Sequence, residues 1–175
     1  MTATEHVILV DENDNPIGTA EKLYAHRNHL CHRAFSVFIL RNQPNIEILL
    51  QQRAKDKYHS PLLWTNTCCS HPRPGEAILD AGQRRLKEEM NLHASLHSLG
   101  SFHYIAHFDN GLVENEIDHV LIGYSDETII CPNPAEVEAY RWVSLPDLQA
   151  ELEQHPEQFT PWLSQALQIV SKNIS

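Results

Sequence analysis

Glu114 and Glu116 stand two positions apart in the run Leu112-Val113-Glu114-Asn115-Glu116-Ile117. A strand turns alternate side chains to one face, so both carboxylates point the same way, about 7 Å apart along the backbone. Like charges held that close resist ionising together unless a cation lies between them or one keeps its proton. His26, His32 and His71 supply imidazoles elsewhere in the chain, and Cys69 supplies a thiol. Three imidazoles and two carboxylates make a donor set for a divalent metal, and a thiol beside them is a reactive group. The competing reading of the same residues is a solvated edge strand with scattered histidines.

The stretch Trp64-Thr65-Asn66-Thr67-Cys68-Cys69-Ser70-His71-Pro72 places Cys69 and His71 on one face of an extended chain. A thiol near a metal or a cation has a lowered pKa and a usable thiolate fraction, which is the expectation for Cys69. Cys68 has the opposite parity and reads as a small buried apolar residue. His26 and His32 flank Arg27-Asn28-His29-Leu30-Cys31, whereas His29, His59, His93, His97 and His155 read as background histidines.

The elements that must position these groups follow from pattern. Val7–Val10 reads as a strand closed by a turn at Asp11–Pro16, and Ala34–Leu40 and Ile46–Gln51 as two strands joined by the hairpin Arg41–Asn45. A polar loop, Lys55–Pro61, leads to the Trp64 stretch. Pro72-Arg73-Pro74-Gly75 breaks the chain before a helix over Ala77–Met90, with Leu79, Leu86 and Met90 as its apolar stripe and Arg85 and Glu89 sharing another face. Strands are predicted at Ser101–His107, Val113–Tyr124 and Ala139–Val143. Helices are predicted from Pro146 and from Thr160-Pro161-Trp162, where Thr160 is the expected N-cap. With no repeat or long linker, residues 1–175 read as one α+β domain.

Composition narrows the function. At 175 residues and 42% hydrophobic content the chain can bury one good core. No apolar run approaches the roughly 20 residues that span a bilayer, and Met1–His6 lacks the basic flank and apolar stretch of a signal peptide, so a cytoplasmic protein is expected. The four cysteines form no CxxC pair and are expected as free thiols. A net charge of −10 argues against nucleic-acid binding. Yet eleven of the 13 Lys and Arg residues fall between Lys22 and Lys87, opposed there by only four acids, a local balance of +7. A basic pocket in an acidic protein suits a small anion.

Gly75-Glu76 followed by Arg84-Arg85-Leu86-Lys87-Glu88-Glu89 resembles a degraded Nudix box, with Met90-Asn91 where a glycine is expected. A larger resemblance is carried by Ala25-His26, His32-Arg33-Ala34-Phe35-Ser36-Val37-Phe38, the stretch Trp64–Pro72, Gly75-Glu76, Tyr104, Glu114-Asn115-Glu116-Ile117 and Pro161-Trp162. In order and spacing these are similar to type I isopentenyl diphosphate isomerases over almost the whole chain. The resemblance implies a Nudix-like α/β/α sandwich with a mixed sheet. It also implies conversion of isopentenyl diphosphate to dimethylallyl diphosphate, in isoprenoid biosynthesis, by a 1,3-proton shift.

It further implies roles for individual residues. Cys69 and Glu116 would be the two acid/base groups, with Tyr104 hydrogen-bonding on the glutamate side. His26, His32, His71, Glu114 and Glu116 would hold one tightly bound manganese or zinc. Glu89 would be the carboxylate for a magnesium that accompanies the substrate diphosphate. Lys22, Arg53, Lys57 and Arg85 would contact that diphosphate, and Trp162 would lie near the isoprenoid tail. No obligate protein partner, nucleic acid or membrane is expected. Two departures stand out: Leu62-Leu63 replaces a glycine common before the Trp64 motif, and Cys68 adds a second thiol. The rival readings are a Nudix-type diphosphate hydrolase, which leaves Cys69 and the histidines without a role, and a non-enzymatic metal or thiol module, which leaves the basic segment without one.

Overall fold

A computed structural model describes residues 4–42 and 44–174. Met1–Ala3, used above in reading the amino terminus, and Gln43, in the middle of the predicted hairpin, lie outside the described residues, as does Ser175. In chain order the elements are β1 (His6–Val10), β2 (Pro16–Glu21), α1 (Lys22–Arg27), β3 (His32–Asn42), β4 (Ile46–Arg53), β5 (Trp64–Thr65), β6 (Cys68–Ser70), α2 (Ile78–Met90), β7 (His97–His107), β8 (Val113–Tyr124), β9 (Val137–Ser144), α3 (Leu145–Gln154) and α4 (Leu163–Ile174), with a 3-10 turn at Pro156–Gln158. Among the described residues, no helix is long and apolar enough to cross a membrane.

The long strand β3 organises the sheet. Along one edge it pairs in parallel with β8, from His32 opposite Glu116 to Leu40 opposite Tyr124. Its other edge is shared in turn by β1 at His32, by β6 at Phe35–Val37 and by β4 at Leu40–Asn42, all antiparallel. After Ile48, β4 leaves β3 and continues against β9 on one side and β5 on the other. That divergence opens the sheet around β6 and leaves a cleft.

Strand parity sorts the core into two layers. Phe35, Val37, Ile39, Leu49, Cys68 and Leu121 pack with Ala81, Leu86 and Met90 of α2. Phe38, Leu40, Ile48, Leu50, Val120 and Ile122 pack with Leu148 of α3 and with Leu163, Ala166, Leu167 and Val170 of α4. The sheet is therefore covered on both faces, as the α/β/α reading requires. Gly82 lets α2 approach closely, because a Cβ there would lie 2.7 Å from Leu121 Cδ1.

Several expectations change. The stripe on α2 does not include Leu79, which is 36% exposed; Ala81, Gly82, Leu86, Glu89 and Met90 face the sheet instead. Asn91, standing where the Nudix glycine was expected, takes the left-handed conformation at φ 55° and ends α2, so an amide side chain fills the glycine's backbone role. Thr160 does not cap α4: its hydroxyl donates to Thr65 Oγ1 at 2.8 Å. β2 and α1 were not anticipated. Helix α1 has only six residues, too few to show a stripe, and is held by Glu21, whose carboxylate accepts from the backbone N–H groups of Leu23 and Tyr24.

Candidate active site

One face of β8 reads Glu114, Glu116, Asp118, Val120 and Ile122. The apolar end joins the α4-side core, while the acidic end lines a narrow pocket of about 30 Å³ with Phe35, Arg53, Tyr58, His59, Cys69, Ser70, His71 and Trp162. Register explains the convergence. Glu116 is opposite His32 on β3, Cys69 of β6 is opposite Ser36 of β3, and α1 brings His26 over the strand ends.

Ligand atoms of His26, His32, His71 and Glu116 all lie within 4.8 Å of one another. Glu116 Oε1 is 3.9 Å from His32 Nε2 and 3.8 Å from His71 Nε2. Donors about 2 Å from a common ion stand about 3–4 Å from each other, so the spacing suits a metal. The hydrogen bonds support this. His26 Nδ1 donates to the Lys22 carbonyl at 2.7 Å and His32 Nδ1 to the Leu30 carbonyl at 2.9 Å, which leaves each Nε2 as a bare acceptor. Both Nε2 atoms are buried without a hydrogen-bond partner among the described residues. Burial holds His32 down to about 4 and His71 well below the usual histidine range, which keeps the rings neutral and able to ligate.

Glu114 is placed differently. Its Oε1 lies 3.7 Å from His26 Nε2 but only 2.5 Å from His59 Nε2. His59 is thus no background histidine: it is 4% exposed and belongs to a second possible donor group with His26 and Glu114. Burial opposes charge on both glutamates, yet the two are driven apart. His59 beside Glu114 holds that carboxyl well below the usual range, whereas burial, reinforced by Glu114 and Asp118, pushes Glu116 well above it. Asp118 was also missed. Burial pushes it up to about 8, Ser36 Oγ donates to its Oδ2 at 2.8 Å, and its Oδ1 has no partner among the described residues. Its parity with Glu114 and Glu116 was a signal present in the sequence.

Cys69 lies in a polar net. Asn66 Nδ2 donates to the carbonyls of Val37 and Cys68 at 3.0 and 2.8 Å, which turns Asn66 Oδ1 toward the thiol. Cys69 Sγ donates to that oxygen at 3.0 Å, and the indole N–H of Trp162 reaches Sγ at 3.1 Å. The lowered thiol pKa expected from nearby cations is not found: burial, aided by Asp118, pushes it up to about 12. The resting group is a thiol that can give a proton. Cys68 is fully buried in the α2-side core. Tyr104 sits opposite Glu116 in the β7–β8 register, but the expected hydrogen bond between them is not formed, and its buried hydroxyl has no partner among the described residues. Burial raises its pKa further, so it stays a neutral phenol.

Lys22, Arg53, Lys57 and Arg85 meet around a cleft of about 300 Å³ that shares Cys69, Ser70 and His71 with the narrow pocket. They come from α1, β4, the following loop and α2. Each is already engaged. Lys22 donates to Glu5 at 2.8 Å, Lys57 pairs with Glu136, and Arg85 contacts Glu89 at 2.9 Å and Glu136 at 3.2 Å. Arg53 donates to the His59 carbonyl at 3.0 Å and lies 5.7 Å from the Trp162 ring centroid. Glu89 is 2% exposed and is held by these cations, apart from the histidine cluster. Glu5 and Glu136 carried no signal in the sequence.

A model of the NUDIX domain matches residues 31–163. The chain is 50% identical over 178 aligned residues to a protein of Photobacterium profundum named isopentenyl-diphosphate Delta-isomerase, covering 100% of this chain and 99% of the relative. A protein of the same name from Burkholderia multivorans is 48% identical, over 90% of this chain and 88% of its own length. Among solved structures, one from Deinococcus radiodurans superposes with a TM-score of 0.77 at 21% identity, covering 94% of this chain and 98% of that one. A MutT protein from Methanosarcina mazei gives 0.66 at 16% identity, covering 83% and 96%. The structural likenesses speak for the fold; the sequence likenesses, at half identity over nearly the whole length, place this NUDIX chain in the isopentenyl-diphosphate Delta-isomerase family.

Proposed function

We propose that this protein converts isopentenyl diphosphate to dimethylallyl diphosphate by moving a proton between carbons two bonds apart. The observation that carries the reading is one pocket into which both the Cys69 thiol and the Glu116 carboxyl open, and which adjoins a cleft lined by four cations. The reaction adds a proton to the terminal alkene carbon and removes another from the methylene on the diphosphate side, through a tertiary cation-like state. It therefore needs two proton-transfer groups at one flat hydrocarbon, with water excluded and the anionic end held elsewhere. Cys69 and Glu116 are those groups in this reading. Lys22, Arg53, Lys57 and Arg85 hold the diphosphate and so position the alkene. Trp162 closes the tail end, and the Tyr104 hydroxyl supplies an unpaired dipole beside Glu116.

His26, His32, His71, Glu114 and Glu116 would hold a divalent ion; the unpartnered Nε2 atoms of His26 and His32 are the structural sign that they fit one. Mixed imidazole and carboxylate donors suit zinc or manganese. An ion bound there would offset the charge of the paired glutamates. Glu89, among the diphosphate cations, suits the magnesium that accompanies the substrate. The protein acts in the cytoplasm on this small substrate without an obligate partner.

The test is incubation with isopentenyl diphosphate, magnesium and manganese in deuterated water. Deuterium in dimethylallyl diphosphate, with no release of phosphate, is the expected result. Phosphate release without isomerisation would identify a hydrolase instead, and metal binding without either would leave a binding module.

A further inference from the structure

We propose that His59 is a positioning residue for Glu114: its ring N–H fixes the carboxylate that lies between the histidine cluster and the loop after β4. The proposal rests on the functional reading only in treating Glu114 as part of the metal site. His59 Nε2 and Glu114 Oε1 are 2.5 Å apart, closer than two bare acceptors approach, so Nε2 carries the proton and the ring is held in polar contact with the carboxylate. Nδ1 faces Ser60 Oγ at 3.2 Å and accepts from it. The carboxylate oxygen so held is the one that lies 3.7 Å from His26 Nε2.

The ring has little freedom to do anything else. It stacks on Phe108 with centroids 4.6 Å apart and an interplanar angle of 8°, and Tyr58 and Trp162 meet it edge-on at 4.4 and 5.8 Å. Arg53 donates to its backbone carbonyl, and Asn110 Nδ2 to that of Tyr58, which pins the loop from both sides. A free carboxylate would rotate between ligating and non-ligating orientations. One locked by a clamped imidazole presents a fixed oxygen, which is how outer partners of metal ligands act.

The experiment compares His59→Phe, which keeps the aromatic stack and loses the donor, with His59→Gln, which keeps an N–H donor at similar reach. Each protein is loaded with zinc, and transfer of zinc to a chromophoric chelator gives the affinity. His59→Phe is expected to bind zinc about 10- to 100-fold more weakly than wild type. His59→Gln is expected to restore most of the loss, with far-UV circular dichroism unchanged in both. If the phenylalanine variant fails to fold, His59→Asn, too short to reach Glu114, replaces it in the comparison. Wild-type affinity in the donor-less variant, or a glutamine variant as weak as it, would overturn the proposal. The latter result would make His59 itself a ligand. Zinc transfer is read without turnover, so a wild-type protein lacking isomerase activity would refute the functional reading and leave this one standing.

Discussion

At the residue scale, the sulfur of Cys69 sits between an acceptor and a donor. Asn66 Oδ1 accepts the thiol hydrogen bond at rest, and the Trp162 N–H, 3.1 Å from both that oxygen and the sulfur, can turn to the sulfur and favour any negative charge left when its proton goes. Cys69→Ala should therefore abolish turnover with the fold retained. Cys68→Ala should cost about 1 kcal/mol of stability, the order expected for a small buried group, and leave most of the activity. Product formation and urea melts on the two variants check this; an inactive Cys68 variant would reverse the assignment. Trp162→Phe keeps an aromatic wall, of smaller area, and removes the donor. Because a hydrogen bond to a charged group is worth about 1.5–3 kcal/mol, kcat should fall roughly ten- to a hundredfold while KM changes little. Steady-state kinetics decide it, and an unchanged kcat would show that the N–H does nothing in the rate-limiting step.

At the element scale, the segments between strands carry strain and pinning that shape the cleft. Leu62 adopts φ 63° and is 47% exposed, so it takes left-handed backbone with little burial in return. Such a conformation costs an L-residue about 1–2 kcal/mol, partly offset by the greater freedom glycine gains when unfolded, about 0.4–1 kcal/mol. Leu62→Gly should raise stability by up to about 1 kcal/mol in a urea melt; a destabilised variant would mean that the leucine side chain packs usefully. Glu76 ties the turn before α2 to the helix, accepting from Arg84 Nε and NH2 at 2.8 and 2.9 Å and from the Arg73 N–H at 2.9 Å. Those bonds, chiefly the pair from Arg84, hold its pKa below the ordinary carboxylate value. A depressed folded pKa gives stability that is present above the unfolded value and lost as pH falls through the folded one. Glu76→Gln should thus cost about 0.5–1 kcal/mol near neutrality and nothing at acidic pH below both values, as melts at several pH values would show.

At the scale of the whole molecule, the site joins the two ends of the chain's middle. The histidines come from α1, β3 and the segment after β6, and the carboxylates from β8, so an ion held among them would cross-link segments about ninety residues apart in sequence. Adding the metal should raise the melting temperature, and chelation should lower it. A ligand at a hundred times its Kd stabilises the fold by about 2.7 kcal/mol, or about 5–10 °C for a chain of this size. Differential scanning calorimetry with and without chelator, with metal content followed by elemental analysis, tests it. Equal melting temperatures would remove the ion from the fold's support.

Local rules account for what was legible in advance. The period of two along a strand set Glu114 beside Glu116 and parted Cys69 from Cys68, because side-chain direction in a strand is decided by the backbone alone. Periodicity and chain breaks likewise located β3, β4, α2 and β8, but missed β2, α1 and the first four residues of β7. Asp118 shared the parity of the two glutamates and could have been read the same way. His59 could not: it lies in an aperiodic loop, and its partners Phe108, Glu114 and Trp162 all come from distant segments. Nor could the protonation of Cys69, since a nearby metal or cation was expected to lower its pKa while burial, with Trp162 against the sulfur, pushes it up. The residue types and their facing were properties of the chain itself. Exposure, partners and charge state depend on which remote segments exclude water from a group, and only the folded arrangement decides that.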